Sequence, residues 1–112
     1  MARRRERYLF YVLAPDGRTP VPLERDDWLE WAGWLEQKDR QVALTVIGDT
    51  RVSTIFLALD MGIADTPRLW ETMAFGPDGE VLDVNRYSTY DEAVAGHKVM
   101  AAKYLAALKE QE

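Results

Sequence analysis

The chain contains no cysteine and only one histidine among its 112 residues. Without cysteine it can form neither a disulfide nor a zinc–thiolate site, and it cannot use a thiolate as a nucleophile. A single histidine also excludes a metal site built from two histidines of one protomer. We therefore expect no metal site and no cofactor.

Long apolar runs are also missing. Runs such as residues 55–59 are far shorter than the roughly 20 residues that a membrane-spanning helix needs. The arginine-rich start is not followed by the apolar segment of a secretory signal peptide. The sequence therefore predicts no membrane partner and a cytoplasmic protein.

Positive charge is scarce beyond the first seven residues. The net charge is −5, and residues 8–112 carry 10 basic and 18 acidic side chains, a balance of −8. Such a body repels nucleic acid, so nucleic-acid binding is disfavoured except through the basic start, where Arg3, Arg4, Arg5 and Arg7 could attract phosphate. We predict a basic N-terminal tail over residues 1–6 and a single α+β domain over residues 7–112.

Apolar residues are plentiful, at 47% of the chain, and they follow strand and helix patterns. Strand patterns cover residues 7–14, 18–23, 41–48, 51–59, 69–75 and 80–87. Helix patterns run from Asp26 or Asp27 to about Gln37, and from a Thr89/Glu92 capping box to about Lys109. The sequence predicts an α+β fold, an antiparallel sheet of about five to six strands with two helices packed on it, in the order ββα-ββββ-α.

Two features of these elements bear on packing. Pro20 and Pro22 cannot donate ladder hydrogen bonds, so their segment should lie at an edge or leave the sheet. The first helix carries three tryptophans, Trp28, Trp31 and Trp34, which we expect to be core, although the excess aromatic surface could also meet a partner.

The strand predicted over residues 51–59 is apolar on both faces. Ile55, Leu57 and Leu59 are expected to face the core, and the opposite face, which includes Val52 and Phe56, is also mostly apolar. This pattern predicts a central strand that is covered on both sides, either by the chain itself or by a second subunit. We accordingly expect a homo-oligomer.

Polar residues are predicted to meet at one end of the sheet. Pairing across the turn at residues 76–79 places Glu71 opposite Asn85 or Arg86, and Asp60 and Thr72 should lie nearby. Glu71 then either forms a structural ion pair with Arg86 or contributes to a polar pocket that attracts an anion.

His97 lies on the apolar stripe of the second helix and admits two interpretations. It is either a core histidine or a general base that Asp60 or Glu71 orients. No nucleophile elbow surrounds Ser53 or Ser88, and no dinucleotide-binding or phosphate-loop motif is present in the sequence. Catalysis is therefore not the leading prediction; if the chain is an enzyme, its catalytic residues should be His97, Glu71 and Asp60.

Three stretches carry a resemblance to a known family. They are residues 52–60 (VSTIFLALD), residues 69–73 (LWETM), and residues 86–97, which contain Arg86-Tyr87-Ser88-Thr89, Glu92-Ala93 and Gly96-His97. Over about residues 42–98 the chain resembles small uncharacterised proteins encoded by bacteriophages and prophages. Members of that family usually carry a histidine- and glycine-rich segment after the Asp60 position, which Met61-Gly62-Ile63 replaces here.

The resemblance implies a phage accessory protein that acts in the cytoplasm of the bacterial host. The leading hypothesis is a non-enzymatic protein that sequesters a small anionic, nucleotide-like ligand to counter host defence. The alternatives are an inhibitor that binds a host protein and a small hydrolase that uses His97. The predicted ligand-binding residues are Thr54, Asp60, Glu71, Thr72, Arg86, Tyr87 and His97.

Overall fold

A computed structural model describes residues 7–62 and 64–111. The predicted basic tail, residues 1–6, lies outside this range. The elements are β1 (Phe10–Leu13), β2 (Pro20–Leu23), a short 3₁₀ turn (Arg25–Asp27), α1 (Trp28–Gln37), β3 (Gln41–Ile47), β4 (Thr50–Phe56), β5 (Trp70–Phe75), β6 (Val81–Tyr87) and α2 (Tyr90–Glu110).

The strands form two antiparallel sheets, which corrects the prediction of a single sheet of five to six strands. β1 pairs with β2, and the other four strands form a second sheet in the order β3-β4-β5-β6. The two sheets meet just after β4, where Tyr11 donates a backbone hydrogen bond to Ala58 and Asp60 donates one to Leu9. Ala58 has a φ of 63°, and this left-handed residue bends the chain out of the pleat of β4.

β2 pairs with β1 alone, as its two prolines predicted. The turn between these strands is held by Asp16, whose carboxylate accepts hydrogen bonds from the backbone of Arg18 and Thr19 and from the Thr19 hydroxyl. These bonds, led by that from the Thr19 hydroxyl, lower the pKa of Asp16. The strands predicted over residues 7–14 and 18–23 are therefore confirmed as an antiparallel pair, with shorter bounds than expected.

Helix α1 packs through one side of its aromatic surface. Trp31 donates a hydrogen bond of 2.9 Å from its indole nitrogen to the carbonyl of Ala58, and its ring lies 4.5 Å from that of Phe10. Trp28, in contrast, is 53% exposed, so its assignment to the core was wrong. Asp27 precedes the helix but makes no capping hydrogen bond through its side chain.

Helix α2 covers one face of the four-stranded sheet. The buried residues of β4 on this face are Val52, Thr54 and Phe56, so the prediction that Ile55, Leu57 and Leu59 form the core face was wrong. Apolar side chains occupy both faces of this strand, and alternation cannot tell which face the helix covers. Trp70 and Ala74 of β5 complete the buried face.

The start of α2 agrees with the predicted capping box. The Thr89 hydroxyl accepts a hydrogen bond from the backbone N–H of Glu92 at 3.1 Å and also bonds to the Glu92 carboxylate. Two turns further on, Gly96 lies against the ring of Tyr87, and the lack of a Cβ atom at Gly96 permits this close approach of helix and sheet.

Candidate functional site

Glu71 and Arg86 face each other across β5 and β6. Their pairing in the sheet is direct, and the Arg86 Nε lies 2.9 Å from the Glu71 Oε2. The Glu71 side chain is 8% exposed and that of Arg86 is 33% exposed. The buried carboxylate is therefore compensated by Arg86, and the exposed part of the guanidinium still has donors for another group.

Asp60 is bound by an arginine that the sequence analysis had assigned to the basic start. Arg7 donates two hydrogen bonds of 2.9 Å to the two Asp60 carboxylate oxygens, and Gly62 donates a third from its backbone. The hydrogen bond to Asp60 raises the pKa of Arg7. The negative charge of the Asp60 carboxylate is therefore already neutralised by Arg7 when no ligand is bound.

A pocket of about 190 Å³ lies between the loop after Asp60 and strand β6. Arg68 and Arg86 bring two guanidinium groups to this pocket, whereas Asp60, which Arg7 already binds, is its sole carboxylate among the described residues. The walls are partly apolar and partly polar, and the lining residues are Asp60, Met61, Ala64, Arg68, Val84, Asn85 and Arg86. This arrangement favours an anionic group, to which arginine donates hydrogen bonds well.

Thr54, Thr72 and His97 lie on the other face of the sheet. The two ring nitrogens of His97 each hydrogen-bond at 2.8 Å with a threonine hydroxyl, Nδ1 with Thr54 and Nε2 with Thr45. Thr54 also hydrogen-bonds with Thr72. His97 is buried, and this burial lowers its pKa. Thr72 was predicted to converge with Asp60, Glu71 and Arg86 at one sheet end, but the sheet separates Thr72 and the rest of this cluster from those three residues.

Tyr87 belongs to the helix-covered side. Its place in the register, next to Trp70, puts it on the same face as Thr72, and its ring contacts Gly96 of α2. Of the seven residues predicted to bind a ligand, the structure brings Asp60 and Arg86 into one pocket. Glu71 is bonded to Arg86 but does not line that pocket. The other four form the buried packing between sheet and helix.

A larger hollow, of about 420 Å³, lies where the first hairpin meets the start of α2. Arg18 is positioned over the ring of Tyr90 there, 5.0 Å from its centre. The carboxylates of Asp16 and Asp91 line the same hollow. Two carboxylates against one arginine make this hollow a poorer anion site than the pocket beside β6.

Sequence reasoning missed Arg68 and the role of Arg7. Arg68 lies just before β5, in the segment between two predicted strands. No motif or residue spacing in that segment indicates a ligand-binding role for it. Arg7 is 53 residues from Asp60 along the chain, and a pairing at that separation has no local signal. Asn85 was expected opposite or beside Glu71, but not as a pocket wall.

Comparisons of the chain with protein-family models, with curated proteins and with solved structures gave no match. Within residues 7–62 and 64–111, no group of three or more histidine, aspartate or glutamate side chains could hold a metal ion. In the same part of the chain, neither helix is long and apolar enough to cross a membrane.

Proposed function

We propose that this protein binds a small anionic ligand without transforming it, and that the phosphate or carboxylate group of the ligand lies between Arg68 and Arg86. The observation that carries the proposal is the charge of the pocket. Two arginines line it, and its carboxylate, Asp60, is already neutralised by Arg7. Glu71 neutralises Arg86 in the same way, so the uncompensated positive charge that an incoming anion would meet is that of Arg68.

The size of the pocket limits what part of a ligand it holds. Pockets that enclose a drug-sized molecule usually measure about 300–1,000 Å³, and this one measures about 190 Å³. It fits one anionic group with a few neighbouring atoms. A nucleotide-like ligand would place one phosphate between the arginines and extend its remaining atoms across Met61 and Val84.

The surroundings of His97 support binding rather than catalysis. A general base needs a free ring nitrogen within reach of the proton that it removes, and both nitrogens of His97 already bond to Thr45 and Thr54. Neither Asp60 nor Glu71 orients the ring. The hydrolase hypothesis thus lacks support from the geometry, and the host-protein inhibitor remains a second prediction.

The role in phage biology rests on the sequence resemblance alone. In the proposed role, the protein would counter host defence by binding a signalling nucleotide of the host.

Titration calorimetry with orthophosphate and with a nucleoside monophosphate tests the pocket. Arg68→Gln is the informative variant because Arg68 is exposed and forms no described ion pair, so the fold should tolerate the change. We expect it to weaken binding by at least about tenfold. Arg25→Gln, which removes an exposed arginine from the 3₁₀ turn, is the matched control and should bind like the parent. Equal affinity in all three proteins would refute the proposal.

A further inference from the structure

The charges around the anion pocket are balanced by ion pairs, with one exception. Arg7 binds Asp60 through two hydrogen bonds, and Arg86 binds Glu71 through one, so neither pair carries a net charge. Arg68 is exposed and has no ion-pair partner among the residues that the structure describes. The pocket together with its two ion pairs therefore carries a single positive charge, that of Arg68.

The two ion pairs present opposite charges to the pocket. Arg86 lines the pocket and Glu71 does not, so the member of this pair in the pocket wall is the cation. Asp60 lines the pocket and Arg7 does not, so the member of the other pair in the wall is the carboxylate. Because these two contributions oppose each other, Arg68 decides how much negative charge the pocket can neutralise.

This balance distinguishes singly from doubly charged ligand groups. A phosphodiester or a carboxylate carries one negative charge, whereas a phosphate monoester carries about 1.5 to 2 at pH 7. The first negative charge finds its partner in Arg68. A second one would find no free cation among the described residues of the pocket wall. It would also be repelled by the Asp60 carboxylate, whose side chain is 4% exposed and therefore weakly screened by salt.

We infer that the pocket prefers an anionic group with one negative charge over the doubly charged phosphate of a monoester, and that Arg7 sets this preference. The inference rests on the proposed function, since it names the class of ligand group for the same pocket. Arg7 is a positioning residue, because it acts on the ligand through Asp60. Removing the Arg7 cation cancels the positive charge of the site, and removing the Asp60 carboxylate doubles it.

Nuclear magnetic resonance titration of the full chain at pH 7 tests the inference, with the backbone amide signals of Val84 and Asn85 as reporters of the pocket. The probes are dimethyl phosphate and acetate, which carry one negative charge, and methyl phosphate, which carries nearly two. We expect dimethyl phosphate or acetate to bind at least about threefold more tightly than methyl phosphate. The tighter of the two singly charged probes identifies the ligand group.

Asp60→Asn is the informative variant, because the amide keeps an oxygen for the hydrogen bonds from Arg7 and Gly62 but loses the charge. It should strengthen methyl phosphate binding at least about tenfold and reverse the order of affinities. Arg7→Gln/Asp60→Asn removes both charges and should restore the parental order, a rescue that damage to the fold would not produce. The matched control is Asp49→Asn, which removes an exposed carboxylate outside the pocket and should bind like the parent.

Two results would overturn this inference. One is tighter binding of methyl phosphate than of both other probes by the parent, and the other is the same order of affinities in Asp60→Asn as in the parent. Circular dichroism would show that the variants keep the parental fold. If Asp60→Asn does not fold, Arg7→Gln takes its place and should weaken dimethyl phosphate binding at least about tenfold; unchanged binding would again overturn the inference. A parent that binds none of the probes would refute the anion pocket itself, so the two failures are distinguishable.

Discussion

Gly96 of α2 contacts Tyr87 of β6 so closely that a Cβ atom at position 96 would overlap the tyrosine Cζ and hydroxyl oxygen. This contact sets the distance between the helix and the sheet over the buried cluster that contains His97. Gly33 of α1 provides the natural comparison, because a Cβ there would meet nothing within 4 Å.

Gly96→Ala should lower the free energy of unfolding by about 1–3 kcal/mol, since the tyrosine ring must move to admit the methyl group. Gly33→Ala should instead raise it by about 0.5–1 kcal/mol, because alanine favours the helix and the space is free. Chemical denaturation of both variants checks the pair. Equal stabilisation by the two substitutions would show that helix and sheet are not in contact at Gly96.

His97 should make stability depend on pH in a defined window. Burial holds its pKa below the usual value of about 6.5, so the unfolded chain binds the proton more readily. Its contribution is complete above pH 6.5 and is lost as the pH falls through the lower pKa of the folded state. Because the chain has one histidine, the difference between the parent and His97→Gln in denaturation between about pH 7 and 5 isolates this effect, and the curve of the variant should be flatter there. An unchanged slope in the variant would contradict the assignment.

Removing one partner of the Glu71–Arg86 pair should lower the free energy of unfolding more than replacing both partners with neutral residues. Arg86→Ala leaves the carboxylate of Glu71 buried without its partner and should cost about 2 kcal/mol of stability, less than for a fully buried pair because Arg86 is a third exposed. The double variant Glu71→Gln/Arg86→Gln should recover most of this loss, since two amides can hydrogen-bond in place of the ions. Thermal denaturation compares the variants, and a double variant as unstable as Arg86→Ala would show that the charges themselves are required.

Local features of the fold could be predicted from the sequence. The Thr89/Glu92 spacing predicted the start of α2, and the turn at residues 76–79 predicted the register that pairs Glu71 with Arg86. Each of these depends on residues that are near one another in the chain. Interactions between residues close together in the sequence are enough to determine these features.

The choice of buried face could not be predicted, because both sides of β4 are apolar and Phe56 and Ile55 suit a core equally well. The separate two-stranded sheet depends on the left-handed backbone conformation of Ala58, which an alanine in the sequence does not predict. The pocket depends on Arg7 reaching Asp60 and on Arg68 approaching β6, which are long-range placements. The sequence therefore predicted that Asp60 and Arg86 lie near one another, but not that Arg68 lines the pocket or that Arg7 binds Asp60.

The anion pocket is tested most directly by nuclear magnetic resonance of the arginine side-chain Nε–Hε groups while orthophosphate is added. The account predicts that the signals of Arg68 and Arg86 shift together and saturate, whereas those of Arg18 and Arg25, which lie outside the pocket, do not. Small and equal shifts of all four signals, rising linearly with phosphate, would show general ionic screening and would contradict a binding site between Arg68 and Arg86.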